Sequence, residues 1–281
     1  MKFGVSGKFQ LQVEGGAKTE WFDNLITDSG LSQIAIGEYL TWCALGTGST
    51  APIPSDTALA TLLVTTDNLT SSTVAAGQYT VVFVFPKGTA TGLIAEVGMG
   101  WNLAGTPLFS RAVLPEVLEV KASQGLTVTY VLTLTPPSVD DVYLLDLNGT
   151  ATTCTSRAAY VGNAADWAWG LSGQQVAFIT ADPHQPQVYA GPIDVVTAYP
   201  TGAAAAATST SATLFDPAEP HSAWLTAKWA MGAGGFVGGI DATLVCTNGY
   251  GAYQIGFDPP LAKQHFDVLC LTYQLSWSRV A

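Results

Sequence analysis

The sequence predicts an all-β protein built from antiparallel β-sandwich domains, with one or two short helices. Three observations support this fold class. Apolar and polar residues alternate over strand-length segments, most regularly in GLTVTYVLTL at residues 125–134, and such alternation is typical of a half-buried antiparallel strand. Gly, Pro and Asn-Gly turn signals separate these segments. One segment alone shows a clear helical period.

The helical segment lies within WFDNLITDSGLSQIAI, and we expect the helix itself near residues 28–36. Its apolar face is formed by residues at helical spacing, Leu31, Ile34 and Ala35. A short polar side chain, Asp28 or Ser29, is expected to cap the N-terminus, and Gly37 is expected to end the helix with a positive φ. A helix of about two turns is unstable alone. We therefore predict that its apolar face docks on a sheet and closes the first β domain.

The other segments are interpreted as strands. Residues 2–22 predict an opening hairpin around Gly15-Gly16, because alternate positions before the turn are apolar, namely Phe9, Leu11 and Val13. Residues 55–63 fit either a short helical turn or an edge strand. Further strands are predicted at residues 39–45, 78–85, 93–101, 107–114, 125–135, 139–147, 150–161, 222–231, 240–246, 253–257 and 268–277. A hairpin turn is expected at Asn248-Gly249.

The chain is predicted to form two β domains. Pro136-Pro137 ends the most regular strand and supplies the boundary, which gives an N-terminal β-sandwich domain at 1–137 and a Trp-rich β domain at 138–281. Residues 201–213 are low in complexity, being mostly Ala, Thr and Ser. We expect them to form a flexible loop.

The composition argues against some partners and favours others. Charged residues make up 11% of the 281 residues, and the net charge is −11. Nucleic-acid binding is not expected, because it requires clustered Lys and Arg. Membrane insertion is not expected either, because no strongly apolar run is long enough. Interface cores are depleted in charge, so we expect a symmetric homo-oligomer whose surface is covered by neighbouring subunits.

No catalytic, cofactor-binding or metal-binding residues are predicted, and the chain is not expected to be an enzyme. Its cysteines and histidines lack the close spacing of zinc motifs; they are Cys43, Cys154, Cys246, Cys270, His184, His221 and His265. Two groups of carboxylates would bind a cation only weakly, and as loop residues we expect them to stay solvated: Asp140-Asp141 with Asp146, and Asp182 near His184. The segment GTGSTA at residues 46–51 resembles a dinucleotide-binding loop, but Pro52 and Pro54 follow it instead of a helix. We interpret it as a turn.

Two groups of residues are candidates for contacts with partners. Tryptophans crowd the second half of the chain, and exposed rings there would suit stacking on sugars or anchoring to a partner protein; the candidates are Trp167, Trp169, Trp224 and Trp229. The alternative is that these rings fill β-sandwich cores. Three of the ten cations are candidates for interface contacts or structural ion pairs, namely Arg111, Lys263 and Arg279.

Several segments carry a family resemblance. FDNLITDSGL, CALGTGSTAP, SDTAL, GLIAEVGMGW, LFSRAVL and GLTVTYVLTL, with the ending YQIGFDPPLAKQHFDVLCLTYQLSWSR, are similar to virion structural proteins of tailed bacteriophages. The resemblance is strongest over residues 22–136 and 253–279, and residues 139–224 match nothing in it. Ser278 stands where the family commonly has Gly.

The resemblance implies a structural role in a phage particle, in the tail tip, baseplate or tail fibre, through contacts with other virion proteins. It implies no active-site residues. A receptor- or glycan-binding module of the tail and a capsid decoration protein are the alternatives. The expected location is the virion tail, after assembly in the cytoplasm of the bacterial host.

Overall fold

The protein is all-β. The computed structural model describes the chain except for residues 17, 38–39, 102–106, 148, 169, 182–183, 214–218, 220 and 281. Strands account for 54% of it and helices for 5%, and the strand pairs are antiparallel, which confirms the predicted fold class.

The chain divides into two compact units. The N-terminal unit comprises Val5–Thr135, Leu171–Gln175 and Ser278–Ala281, and the C-terminal unit comprises Met1–Gly4, Pro136–Gly170 and Val176–Trp277. The division at Pro136 falls beside the Pro136-Pro137 pair. Residues 1–4 belong to the C-terminal unit, and residues 171–175 and 278–281 belong to the N-terminal unit. The two units are therefore not two consecutive sequence ranges.

The N-terminal unit contributes strands to two antiparallel sheets. Its elements are β1 (Lys2–Val13), β2 (Phe22–Asp23), β3 (Leu25–Ile26), α1 (Asp28–Ile36), β4 (Trp42–Gly46), β5 (Leu62–Thr66), β6 (Leu69–Ala75), β7 (Gln78–Phe85), β8 (Gly92–Gly100), β9 (Leu108–Val120) and β10 (Leu126–Thr135). One sheet has the order β1-β10-β7-β6, with β2 paired to β1, and the other has the order β3-β9-β8-β4-β5.

The C-terminal unit also contributes strands to two antiparallel sheets. Its strands are β11 (Asp141–Leu147), β12 (Thr150–Ala159), β13 (Gln187–Tyr189), β14 (Ala204–Ala206), β15 (Ser209–Thr213), β16 (Ser222–Trp229), β17 (Ile240–Cys246), β18 (Ala252–Leu261) and β19 (Leu269–Arg279), and a 3-10 helix spans Gly170–Ser172. One sheet has the order β11-β12-β18-β17-β13-β14. The other has the order β15-β16-β19, followed by the first residues of β1.

The alternating segments bury one face, as predicted. In β10 every apolar residue of the predicted face is buried, and these are Leu126, Val128, Tyr130, Leu132 and Leu134. In β1 the buried positions alternate in the same way and include Phe9, Leu11 and Val13. The core of the N-terminal unit therefore follows the period of two that a strand imposes on its side chains.

Helix α1 has the predicted extent but a different N-cap. Thr27 caps it with an extended backbone, and its Oγ1 accepts a hydrogen bond from the Gly30 N–H at 2.9 Å. The prediction of Asp28 or Ser29 as the cap was therefore wrong, by one position for Asp28 and by two for Ser29. Gly37 ends the helix with φ of 72°, as expected.

The helix docks on β9 through a glycine. A Cβ at Gly30 would lie 2.1 Å from the carbonyl oxygen of Phe109, so only glycine allows this approach. The Thr27 hydroxyl also donates to the carbonyl of Leu108 at 2.5 Å. The predicted apolar residues Leu31, Ile34 and Ala35 are buried on this face.

Two strands are longer than their prolines suggested. Pro115 lies within β9, and Pro259-Pro260 lies within β18. The pairing register shifts opposite these prolines. The shift lies between Ile94 and Glu96 of β8, which pairs with β9, and between Ile240 and Ala242 of β17, which pairs with β18. Such irregularities remove the need for a backbone donor, which proline lacks.

Three segments differ from their sequence interpretation. Residues 55–61 form neither a helical turn nor a strand, and the edge strand β5 begins only at Leu62. Strand β6 was not predicted, because its sequence LTSSTVA is polar and lacks alternation. Residues 201–213, predicted to be a loop, contain β14 and β15. Both strands pair with neighbours, at β13 and β16.

We predict that replacing Leu31 by Ala destabilises the protein by about 3 kcal/mol, because a buried leucine leaves a cavity when truncated. The matched control is Ile36→Ala, since Ile36 lies on the same helix and is 50% exposed. Its cost should stay below about 0.5 kcal/mol. Urea unfolding monitored by circular dichroism measures both. Equal costs for the two variants would contradict the docking of α1 described above.

Candidate functional site

The candidate tryptophans are mostly buried. Trp167 is 1% exposed and Trp229 is 0% exposed, and each indole N–H donates to a backbone carbonyl, of Ala159 at 2.9 Å and of Ala205 at 3.0 Å. Neither ring can stack on a sugar, so the proposal of these two as glycan contacts is wrong. Trp224 is half-buried on β16. Trp169 lies outside the described residues.

The candidate cations act within their own units. The Lys263 ammonium is buried and donates to the carbonyls of Ala230 at 3.3 Å and Asp267 at 3.0 Å. Arg279 donates to the Ile26 carbonyl and pairs with Asp28 at the start of α1. Both residues therefore have structural contacts, and Arg279 places a cation beside an acidic residue of the first helical turn.

Arg111 lies in a buried network of charges. Its guanidinium pairs with Glu96 at 2.8 Å and with Asp56 at 2.7 Å, and it donates to the Thr50 carbonyl at 2.8 Å. Burial alone lowers the pKa of the guanidinium, but the hydrogen bonds to Asp56 and Glu96 outweigh burial and raise that pKa. Arg111 is therefore a structural cation and is not available to a partner.

The Glu96 carboxylate holds the segment 46–61 against the sheet. It accepts backbone N–H groups from Gly48 at 3.0 Å, Ala60 at 3.0 Å and Thr61 at 2.7 Å. A Cβ at Gly48 would lie 2.4 Å from this carboxylate, which explains a glycine there. Every residue from 47 to 61 is described and none is helical. The GTGSTA segment thus wraps a carboxylate and offers no helix N-terminus to a dinucleotide.

An apolar edge lies on the C-terminal unit. Strand β11 ends its sheet, and within the described part of the chain no strand pairs with its outer edge. Val142 is 61% exposed and Leu144 is 74% exposed, and Leu145, whose side chain points to the opposite face, is also exposed. We call this surface the β11 edge.

A bidentate ion pair joins β12 to the residue that precedes β11. Arg157 on β12 donates twice to the Asp140 carboxylate, at 2.8 Å from Nε and at 2.6 Å from the terminal nitrogen. The guanidinium lowers the pKa of Asp140 below its ordinary value, so the pair stays charged. A bidentate pair fixes orientation as well as distance. The pair therefore helps to orient the chain where it enters β11.

A groove lies beside the same hairpin. It has a volume of about 560 Å³ and is lined by Asp146, Thr150 and Thr152 from the hairpin and by residues 260–262 and 268–271. Val268 at its margin is exposed. This part of the C-terminal unit therefore has a concave groove next to exposed apolar side chains.

Three metal-ligating side chains meet in the C-terminal unit. The ligand atoms of Asp166, His184 and Cys246 all lie within 4.8 Å of one another. Asp166 and Cys246 are buried and His184 is half-buried. Sequence reasoning missed this cluster because the residues are 18 and 62 positions apart, and zinc motifs are recognised by short spacing. Asp182, predicted to lie near His184, is outside the described residues.

The Asp166 carboxylate is oriented by neutral groups. The Asn163 side-chain amide donates to its Oδ2 at 2.9 Å, and the Tyr199 hydroxyl donates to the same oxygen at 3.4 Å. Its backbone carbonyl accepts from the Gly251 N–H at 2.7 Å. Burial raises the pKa of Asp166, and the nearby His184 and Tyr199 oppose that rise.

Comparison with known proteins gives no match: no family model, curated protein or solved structure matches this chain. In the described part of the chain, no helix combines the length and the apolar character needed to cross a bilayer.

We predict that Glu96→Gln destabilises the N-terminal unit by about 3 kcal/mol, because removing one partner of a buried ion pair leaves the other charge uncompensated. The control is Glu14→Gln, whose ion pair with Lys87 is more than half exposed on both sides. Exposed pairs contribute little, so the control should unfold at the same urea concentration as the wild-type protein. A Glu96→Gln variant as stable as the control would contradict the structural role of the network.

Proposed function

We propose that the chain is a structural component of a tailed-bacteriophage particle, in the tail tip, the baseplate or a tail fibre, and that it acts through protein–protein contacts. The observation that carries the contact part is the β11 edge, an unpaired strand edge with exposed apolar side chains on both faces. Proteins that remain monomeric usually protect such edges with charge, proline or a covering element.

The first partner is a second copy of this chain. A strand that pairs with its own copy across a two-fold axis gives a self-complementary interface. If β11 pairs antiparallel about Leu144, Asp141 faces Leu147 and Asp146 faces Val142, so no two carboxylates lie directly opposite each other. Like charges directly opposite would be destabilising. The sequence of β11 is therefore compatible with self-pairing.

The phage part of the proposal is supported by the sequence resemblance and by what its motifs do. GTGSTA, GLIAEVGMGW and LFSRAVL supply the buried network of Glu96 and Arg111, and FDNLITDSGL supplies the docking of α1. These segments build a scaffold and not a reaction centre. A scaffold of this kind suits a subunit whose surfaces, including the β11 edge, contact other virion proteins.

The glycan-binding alternative has less support, because Trp167 and Trp229 are buried. No observation on the described residues favours a capsid position over a tail position. The tail position is the one that the family resemblance implies.

We predict that Leu144→Lys converts the oligomer to monomers, because a lysine on a strand edge opposes further pairing. Analytical ultracentrifugation measures the change. Val237→Lys is the control, since Val237 is fully exposed and lies outside every strand. It should sediment as the wild-type protein does. A wild-type chain that is monomeric at micromolar concentration, or a Leu144→Lys variant that still associates, would contradict the edge as the interface.

The particle assignment is tested separately by immunogold electron microscopy. Antibodies raised against the purified chain are expected to label the tails of phage particles released by the bacterial host. Labelling confined to heads would favour the capsid alternative, and particles without label would contradict a virion role.

A further inference from the structure

We propose that Asp166, His184 and Cys246 bind a transition-metal ion of the Zn²⁺ class. This assignment does not depend on the role in a phage particle. It rests on the geometry of three side chains that lie far apart in the sequence and meet in the C-terminal unit.

The chemistry of the ligands selects the metal. A thiolate, an imidazole and a carboxylate together match the borderline preference of Zn²⁺, whereas Ca²⁺ and Mg²⁺ are held by oxygen ligands. In a tetrahedral zinc site, ligand atoms lie roughly 3.3–3.8 Å apart, given metal–ligand distances of about 2.0–2.3 Å. Because the observed separations are 4.8 Å or less, binding a metal requires a contraction of at most about 1–1.5 Å, within the reach of side-chain rotation. Three protein ligands leave a fourth position for water or another donor.

The three residues have hydrogen-bonded surroundings like those of known metal ligands. Cys246 ends β17, and its carbonyl accepts from the Ile179 N–H at 2.9 Å. Asp166 is held by the backbone contact with Gly251 and by the Asn163 amide. Ligating carboxylates commonly have such hydrogen-bonded partners, which fix their orientation. His184 lies on a turn and is half-buried, so it is the ligand with the most freedom to move inward.

The cluster also has an electrostatic deficit that a cation would correct. Asp166 is 3% exposed, and among the described residues no lysine, arginine or histidine nitrogen lies within 4.0 Å of its carboxylate. Buried charges are ordinarily paired or coordinate a metal. By contrast, the buried carboxylate of Glu96 in the other unit has Arg111 as its partner.

Cys246 belongs to a buried cluster of mostly apolar residues. The cluster packed with it contains Ala159, Tyr189, Ala242, Leu244 and Ala252. This environment raises the pKa of the Cys246 thiol. A bound cation would reverse that effect, because a coordinating thiol is deprotonated. A low-dielectric shell also strengthens the attraction between a cation and its charged ligands.

The test is a titration of metal-stripped, reduced, full-length protein with Co²⁺, which substitutes for Zn²⁺ and gives a thiolate charge-transfer absorption. We expect about one Co²⁺ per chain, with this absorption present and then removed by stoichiometric Zn²⁺. Cys246→Ser should abolish the charge-transfer band. His184→Ala should weaken Co²⁺ binding by more than about 100-fold, exceeding the loss typical of an outer partner.

Matched variants separate this site from adventitious binding. Cys154→Ser removes another buried thiol of the same unit, and His265→Ala removes an exposed histidine, so both should bind Co²⁺ as the wild-type protein does. Asn163→Ala tests the positioning of Asp166, and it should weaken binding about 10–100-fold while the charge-transfer band remains. Circular dichroism of each variant checks folding.

Three results would overturn the proposal. They are the absence of a charge-transfer band in the wild-type protein, a band that survives in Cys246→Ser, and equal losses in His184→Ala and His265→Ala. If Cys246→Ser does not fold, the comparison of His184→Ala with His265→Ala decides, because neither histidine is fully buried.

Discussion

The N-terminal unit depends on the buried ion pair between Glu96 and Arg111. Both side chains lie away from water, and their desolvation is offset by a short pair distance and by three backbone N–H groups that saturate the carboxylate. Those N–H groups belong to the segment 47–61, which lacks regular structure. One carboxylate thus fixes a long irregular segment. A Cβ at position 46 or 48 would clash with this carboxylate, so both positions are glycine.

Charged residues are scarce in this chain, which leaves few of them to oppose association at its surface. Two of the ten cations, Arg111 and Lys263, are buried inside the units, so they are not on the surface to discourage association. The β11 edge then presents apolar side chains on both faces of the hairpin β11-β12. An isolated protein with such an edge is prone to pair with neighbours. In an assembly the same edge becomes a contact.

Some elements follow from the local sequence, and others depend on pairing with distant strands. The helix at 28–36, the strands at 78–85 and 240–246 and the all-β class follow from periodicity and turns, which are local properties. The extension of β9 through Pro115 depends on a register shift against β8, so no local signal reveals it. Strand β6 is polar and forms because β7 offers it an edge. Strands β14 and β15 likewise form by pairing with β13 and β16.

By itself, the sequence determined the fold class, the end of α1 at Gly37 and the buried face of each alternating strand, because side-chain direction follows the local backbone period. Only the tertiary structure decided which distant residues meet. It buried Trp167 and Trp229, paired Arg111 with Glu96, and gathered Asp166, His184 and Cys246. Strand pairing and loop packing bring such residues together over long separations, and no spacing rule in one sequence encodes them.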